Sequence, residues 1–173
     1  NDEYKKYFVN NNAILTLKKN VTYIDENIYI PSNLIVKIKD GESIILTNNA
    51  FIFSDSAWDA DGSNNLINII GTKDNLGGGL IISDSQNKSF FKNVNFSYLN
   101  GLNKNFDDIN LQYNLLGSIN FYESEVLIES CNFSKIFSED ALNIINSNFV
   151  LDNILLIENY SDGIDIDFGQ GSI

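Results

Sequence analysis

The chain contains no arginine, no histidine and no methionine, and it has one cysteine, one proline and one tryptophan. Each absence removes a kind of chemistry. Without histidine, Ser-His-Asp catalysis and His-ligated zinc are excluded within this span. Without arginine there is no guanidinium clamp for carboxylate or phosphate. A lone Cys131 allows no internal disulfide and no thiolate metal cluster. It stands where neighbouring repeats place Val94 and Ile154, so it reads as a small buried hydrophobe rather than a reactive thiol. No apolar run is long enough to span a bilayer. The chain opens at Asn1 without a methionine, so a mature form or an excised fragment is expected and no signal peptide can be read.

Charge of one sign is also scarce. All 11 basic residues are lysines, set against 23 acidic ones, for a net charge of −12 over 173 residues. Phosphate backbones need a basic surface, so nucleic acid is excluded as a partner. Acidity favours solubility, cations and neutral or cationic partners. The length suffices for one domain with a real core. Much of the asparagine excess is put down to an AT-rich coding sequence; the placement of the aspartates is not.

What the chain does have is a repeat. Asp140-Ala-Leu-Asn-Ile-Ile-Asn-Ser-Asn-Phe-Val-Leu151 returns as Asp162-Gly-Ile-Asp-Ile-Asp-Phe-Gly-Gln-Gly-Ser-Ile173. Gly117-Ser-Ile-Asn-Phe-Tyr-Glu-Ser-Glu-Val-Leu-Ile128 precedes them at a similar offset. A period of about 22 residues lies in the range of solenoids. Within each copy apolar residues alternate, as at Ile119/Phe121 and Leu142/Ile144, which is the strand signal. The fold class expected is therefore all-β: a single-stranded parallel β-helix, right-handed because parallel crossovers are overwhelmingly so.

Residues 1–33 read as an N-terminal cap and first strands, with a short helical turn over Asp2–Phe8 and one strand over Val21–Ile30 ending at Pro31. Residues 34–173 read as the β-helix, with turns at Asp40-Gly41, Asn48-Asn49, Asp61–Asn65 and Gly77–Gly79. One repeat is too long by about 15 residues, which predicts a loop insertion near 100–116 that could carry function. The last repeat stops early, so the chain is expected to be part of a longer protein. Its C-terminal open end would take further coils or a partner.

The run Gly41-Glu-Ser-Ile44, Ala50 and Asp59-Ala-Asp-Gly-Ser-Asn-Asn65, leading into Leu66-Ile-Asn-Ile-Ile-Gly71, resembles bacterial surface proteins of the pectin-lyase-like β-helix family. Gly77-Gly-Gly-Leu-Ile-Ile82 and Lys92-Asn-Val-Asn-Phe96 look like the next coil of such proteins. Glu139–Asn143 and Ser161–Phe168 resemble β-helix segments found with spore-coat-protein-H-like kinase domains. The resemblance implies a right-handed β-helix on an extracellular or cell-surface protein. Ser161-Asp-Gly-Ile-Asp165 is similar to the Asn-Thr-Asp-Gly-Ile-Asp motif of polygalacturonase-like glycosidases, and Glu139-Asp140 to their Asp-Asp pair. Here the order is reversed, and the His-Gly and Arg-x-Lys motifs are absent.

The acidic cluster is the constellation with chemistry to offer. In register, Asp140 stacks on Asp162, Asn143 on Asp165 and Ile145 on Asp167, with strands about 4.8 Å apart. Like charges that close need a cation, a proton or hydrogen bonds between them. Three readings stay open: turn residues bonded to backbone; calcium at Asp140, Asp162, Asp165 and Asp167; and carboxylate catalysis by Asp140, Asp162 and Asp165. A lyase or epimerase would instead need Lys135, Tyr122 or Tyr160 as base. Tyr122, Lys135 and Tyr160 are also the expected ligand face. Tyr98, Phe106, Tyr113 and Trp58 could stack on sugars, and Asp55, Asp59 and Asp61 form a weaker metal loop read as a glycine turn. The function expected is a non-catalytic scaffold with a face for polysaccharide or another protein. The alternative is a polysaccharide hydrolase, lyase or epimerase. No cofactor other than Ca²⁺ is expected.

Overall fold

The computed structural model describes residues 3–102 and 117–173. Among them the chain is all-β, with twenty short strands and one 3₁₀ turn at Glu3–Lys6. After the N-terminal strand β1 (Phe8–Asn11), strands come in threes. The first three are β2 (Ile14–Leu17), β3 (Val21–Ile24) and β4 (Ile28–Ile30); then β5 (Ile35–Ile38), β6 (Ser43–Leu46) and β7 (Phe51–Ser54). Next come β8 (Ala57–Asp61), β9 (Ile67–Ile70) and β10 (Gly79–Ser83), and β11 (Ser89–Lys92), β12 (Val94–Ser97) and β13 (Gly117–Tyr122). The last are β14 (Val126–Glu129), β15 (Asn132–Ser134) and β16 (Asp140–Ile145), then β17 (Asn148–Asp152), β18 (Leu155–Ile157) and β19 (Asp162–Asp167), and finally β20 (Gln170–Ser172).

From β2 onward each strand pairs with the strand three places later, so three sheets form, and in all of them these pairings are parallel. The first sheet runs from β1 and β2 to β20, the second from β3 to β18 and the third from β4 to β19. Consecutive strands therefore never pair with each other after β2; the chain steps from sheet to sheet and returns one layer further along, a β-helix-like arrangement.

The alternation in the sequence builds the core. Ile28, Ile52, Leu80, Ile119, Leu142 and Ile164 occupy one register column of the third sheet. Phe121, Ile144 and Ile166 form the next. Ile144 is fully buried and Ile166 packs against the core from a half-buried position. Burying an aliphatic or aromatic side chain of this kind stabilises by about 1.5–3 kcal/mol. Aromatics stack between layers as well: Phe96 on Phe133 at 4.8 Å between ring centres, and Trp58 on Phe91 at 6.3 Å. Trp58 is buried in this core, so it is not part of an exposed sugar-stacking surface.

The bends between sheets have a backbone signature. In the later layers a single non-glycine residue in the left-handed region marks the corners: Asn93, Ser130 and Asn153 between the first and second sheets, and Tyr98, Lys135 and Glu158 after the second. Asp84, Glu123, Asn146 and Phe168 do the same after the third. A left-handed residue turns an extended chain sharply without a loop, at a steric cost that asparagine tolerates best.

The expected helical turn near the N-terminus is the 3₁₀ turn, and β1 lies antiparallel on β2, which closes that edge of the first sheet. Residues 3–33 hold the 3₁₀ turn, β1 and the strands β2, β3 and β4. The single strand expected over Val21–Ile30 is two strands of different sheets. The chain bends at Asp25–Asn27, where Glu26 accepts hydrogen bonds from Lys6 and Tyr7 of the cap. The insertion expected near 100–116 lies outside the described residues from position 103 onward, as do Phe106 and Tyr113. No helix among the described residues is long and apolar enough to cross a membrane.

Candidate functional site

The acidic cluster sits on β16 and β19, adjacent strands in the expected register. Asp140 pairs with Asp162, Asn143 with Asp165 and Ile145 with Asp167. Leu142 and Ile144 belong to the core, so Asn143 between them faces the opposite side of the sheet. That opposite side has a small apolar cluster of its own, with Phe51 and Ile81 buried and Phe53, Leu102, Tyr122 and Ile145 packed against them.

The start of β16 is pinned from below. Ser138 Oγ donates to the Asp140 carbonyl at 2.5 Å and shares a hydrogen bond with Ser118 Oγ at 2.7 Å. From above, the Asp162 amide donates to the Glu139 carbonyl at 2.8 Å. One layer down, Gly117 pairs with Asp140, and a Cβ on Gly117 would come within 2.9 Å of Asn143 Cβ. The same diagonal step, one layer up and three residues on, takes Asp140 to Asp165. Among the neighbouring negative charges, that of Asp165 acts most strongly on the Asp140 carboxyl.

Asp140 is only 3% exposed. Burial, then the negative charges of Asp165, Glu139, Asp162 and Asp167, push its carboxyl up to about 6. Its Oδ2 has no hydrogen-bond partner, and neither has Oδ1 of Asn143, which is 1% exposed. The contrast with the layer below is sharp. There Asn120 Oδ1 accepts from the Gly117 amide at 3.1 Å, and Asn120 Nδ2 donates to the Gly117 carbonyl at 2.7 Å. Asp162 and Asp167 are exposed and Asp165 is half-buried. Among the described residues, no three His, Cys, Asp or Glu side chains converge as a metal centre.

Of the other expected site residues, Tyr122 shares a register column with the cluster, whereas Lys135 and Tyr160 lie on other parts of the stack. Tyr122 lies in the Ile145–Asp167 column, with its hydroxyl donating to Glu123 Oε1 at 3.1 Å. Lys135 turns a corner of the stack. Its ammonium donates to Tyr98 Oη at 3.2 Å, lies 5.3 Å from the centre of that ring, and is 3.8 Å from Glu158. The Tyr98 hydrogen bond, with the Tyr98 and Glu158 charges, raises its pKa. That is the wrong direction for a proton-abstracting lysine, which needs a depressed value. Tyr160 is 80% exposed and anchored through its amide to the Ile136 carbonyl.

Asp55, Asp59 and Asp61 have separate partners: the Tyr29 hydroxyl, the Lys37 ammonium, and the amide and hydroxyl of Ser63. Asp61 is thus a turn residue, as the glycine-turn reading expects. Cys131 is buried in the Val94–Ile154 column, and burial pushes its thiol up to about 12. A polar hollow of about 400 Å³, not foreseen from the sequence, lies along the corner after the third sheet, lined by Lys88, Glu123, Glu125 and Asn146 among others. Lys88 and Glu125 pair across it at 2.8 Å. A second feature without a clear sequence signal is the amide ladder Asn68–Asn95–Asn132 on the second sheet, bonded at 3.3 and 3.0 Å. Only the stacking register brings those amides together.

Comparison with protein-family models, with curated proteins and with solved structures finds no match to this chain.

Proposed function

We propose that the chain is a segment of a right-handed, single-stranded parallel β-helix of the pectin-lyase-like kind. It serves as a non-catalytic scaffold whose strand faces meet polysaccharide or another protein outside the cell or at its surface. The observation that carries this reading is the column order. Outside the Asp140–Asn143 pair, polar residues suited to chemistry are tied up with their own equivalents in the next layer, as in the Asn68–Asn95–Asn132 ladder and the Tyr98–Lys135–Glu158 corner. Among the described residues they do not turn toward a shared cleft, which an active site needs. The parallel pairings support a right hand, because parallel crossovers are overwhelmingly right-handed, and the exposed strands β18 and β20 offer a partner an open face.

A second reading is a polysaccharide-acting enzyme, and one observation favours it. A buried carboxyl with a raised pKa beside a second carboxylate is the acid arrangement that glycoside hydrolysis uses. Against it, Asp140 is nearly inaccessible to a polymer. The deciding experiment incubates the chain with a panel of neutral and acidic polysaccharides, measuring retention on the insoluble ones, new reducing ends and unsaturated products. The scaffold reading expects retention, or none, without turnover. Turnover that disappears in Asp162→Ala or Asp165→Ala overturns it in favour of the hydrolase.

A further inference from the structure

We propose that Asp140, Asn143 and Asp165 bind a hard divalent cation of the size and oxygen preference of Ca²⁺. Two acceptor oxygens, Asp140 Oδ2 and Asn143 Oδ1, lack any donor although their residues are 3% and 1% exposed. Buried acceptors are nearly always satisfied, and an exception calls for an explanation, of which a bound ion is one. The protein supplies no candidate. The charged groups around the pair, Glu139, Asp162, Asp165 and Asp167, are all acidic. The facing strand β13 contributes Gly117, Asn120 and Tyr122 but no cation. Among the described residues every ion pair lies elsewhere.

The feature is local to this layer. Below it, Asn120 closes its amide on the backbone of Gly117, so the same fold position is self-sufficient there. Substitution of Gly117 by its equivalent Asp140 brings in the unpartnered carboxylate, and the next layer adds Asp165 beside it. Two carboxylates and an amide carbonyl are all-oxygen donors, which suit Ca²⁺, with water completing its six to eight positions. The donor set holds no sulfur or imidazole, so it does not suit zinc or copper. Exposed Asp162 and Asp167 add negative charge nearby and so attract cations. This inference uses different residues from the polysaccharide or protein face and does not depend on it.

The test is calorimetry and thermal unfolding of the chain, first freed of metal with a chelator, with Ca²⁺ and, separately, Mg²⁺ as titrant. Expected are a saturable one-site heat with Ca²⁺, weaker binding of Mg²⁺, and a rise in Tm with Ca²⁺. Asp140→Asn and Asn143→Leu should each weaken Ca²⁺ binding at least about tenfold, since affinity follows ligand charge and number. Asp74→Asn, on an exposed turn, should leave it unchanged. Circular dichroism confirms that each variant is folded, and Asp165→Asn replaces any that is not. Absence of heat and Tm shift in the unaltered chain overturns the proposal. So does Ca²⁺ binding that survives both substitutions, or one lowered equally by Asp74→Asn, which marks diffuse screening.

Discussion

Asp140 should make the metal-free protein more stable in mild acid than at neutral pH. Its carboxyl rises from an ordinary 3.8 to about 6 in the folded chain. The folded state therefore holds this proton more tightly than the unfolded state does. The stability linked to it is complete below pH 3.8 and is lost as pH climbs through about 6. At 1.36 kcal/mol per unit, the whole swing is about 3 kcal/mol. Between about pH 5 and pH 7.5 it amounts to roughly 1.4 kcal/mol, or roughly 3–5 °C in Tm for a chain of this size. Glu42, only 5% exposed and raised by burial, works in the same direction. Asp40, whose pKa is lowered chiefly by hydrogen bonds from Asn65, works in the opposite one. Thermal unfolding across this range, in chelator, measures the sum. Asp140→Asn isolates this carboxyl's share: it removes the titration and supplies a donor where Asn143 Oδ1 lacks one. The variant should gain about 1–3 kcal/mol near pH 7.5 and show a flatter pH profile. A variant that is destabilised at neutral pH with the slope unchanged would refute the reasoning.

Ile144→Ala removes a fully buried side chain from the Phe121–Ile166 column and should cost about 2–5 kcal/mol in urea unfolding; under about 1 kcal/mol would place that column outside the core. Gly79→Ala puts a Cβ into the Ser118 carbonyl at a backbone angle of φ +149, so it should disrupt the β10–β13 pairing, seen as lost amide-exchange protection there. A stable, fully protected Gly79→Ala chain would contradict that close approach. Cys131, 1% exposed with its thiol near 12, should resist thiol reagents in the folded chain and react only in denaturant. Rapid modification of native protein would show that its column opens.

The strands were legible because one face of every repeat is apolar and the other is not. That is why the repeat alone places Asp140, Asn143 and Ile145 over Asp162, Asp165 and Asp167. The corners were less legible. Asparagine looks like a compositional excess in the sequence, yet among the described residues Asn12, Asn33, Asn48, Asn49, Asn93, Asn146 and Asn153 all adopt left-handed backbone. Their role is conformational, and no spacing rule exposes it, since Ser130, Tyr98 and Lys135 fill equivalent corners. Burial in the candidate site was not legible either. Nothing in the one-dimensional pattern distinguishes Asp140, enclosed and unpartnered, from Asp162, which pairs with it and lies open to water.

Stacking layer on equivalent layer makes changes in chain length come in steps. Leu34 and Ser56 are 22 residues apart and hydrogen-bonded across one layer, and Ser124 and Ser147 span 23. Asn68 and Asn95 are 27 apart and Asn95 and Asn132 are 37 apart, yet both pairs sit in the same ladder. Extra residues that leave and re-enter at a corner do not disturb the columns, whereas one residue added inside a strand would turn every later side chain of that strand to the wrong face. Deleting a whole layer removes two interfaces and rebuilds one of the same kind. Descendants of such a chain can therefore differ by entire layers, or by corner excursions of any size, while small insertions within strands are selected against. The fold keeps its columns aligned by discarding the lengths that do not fit.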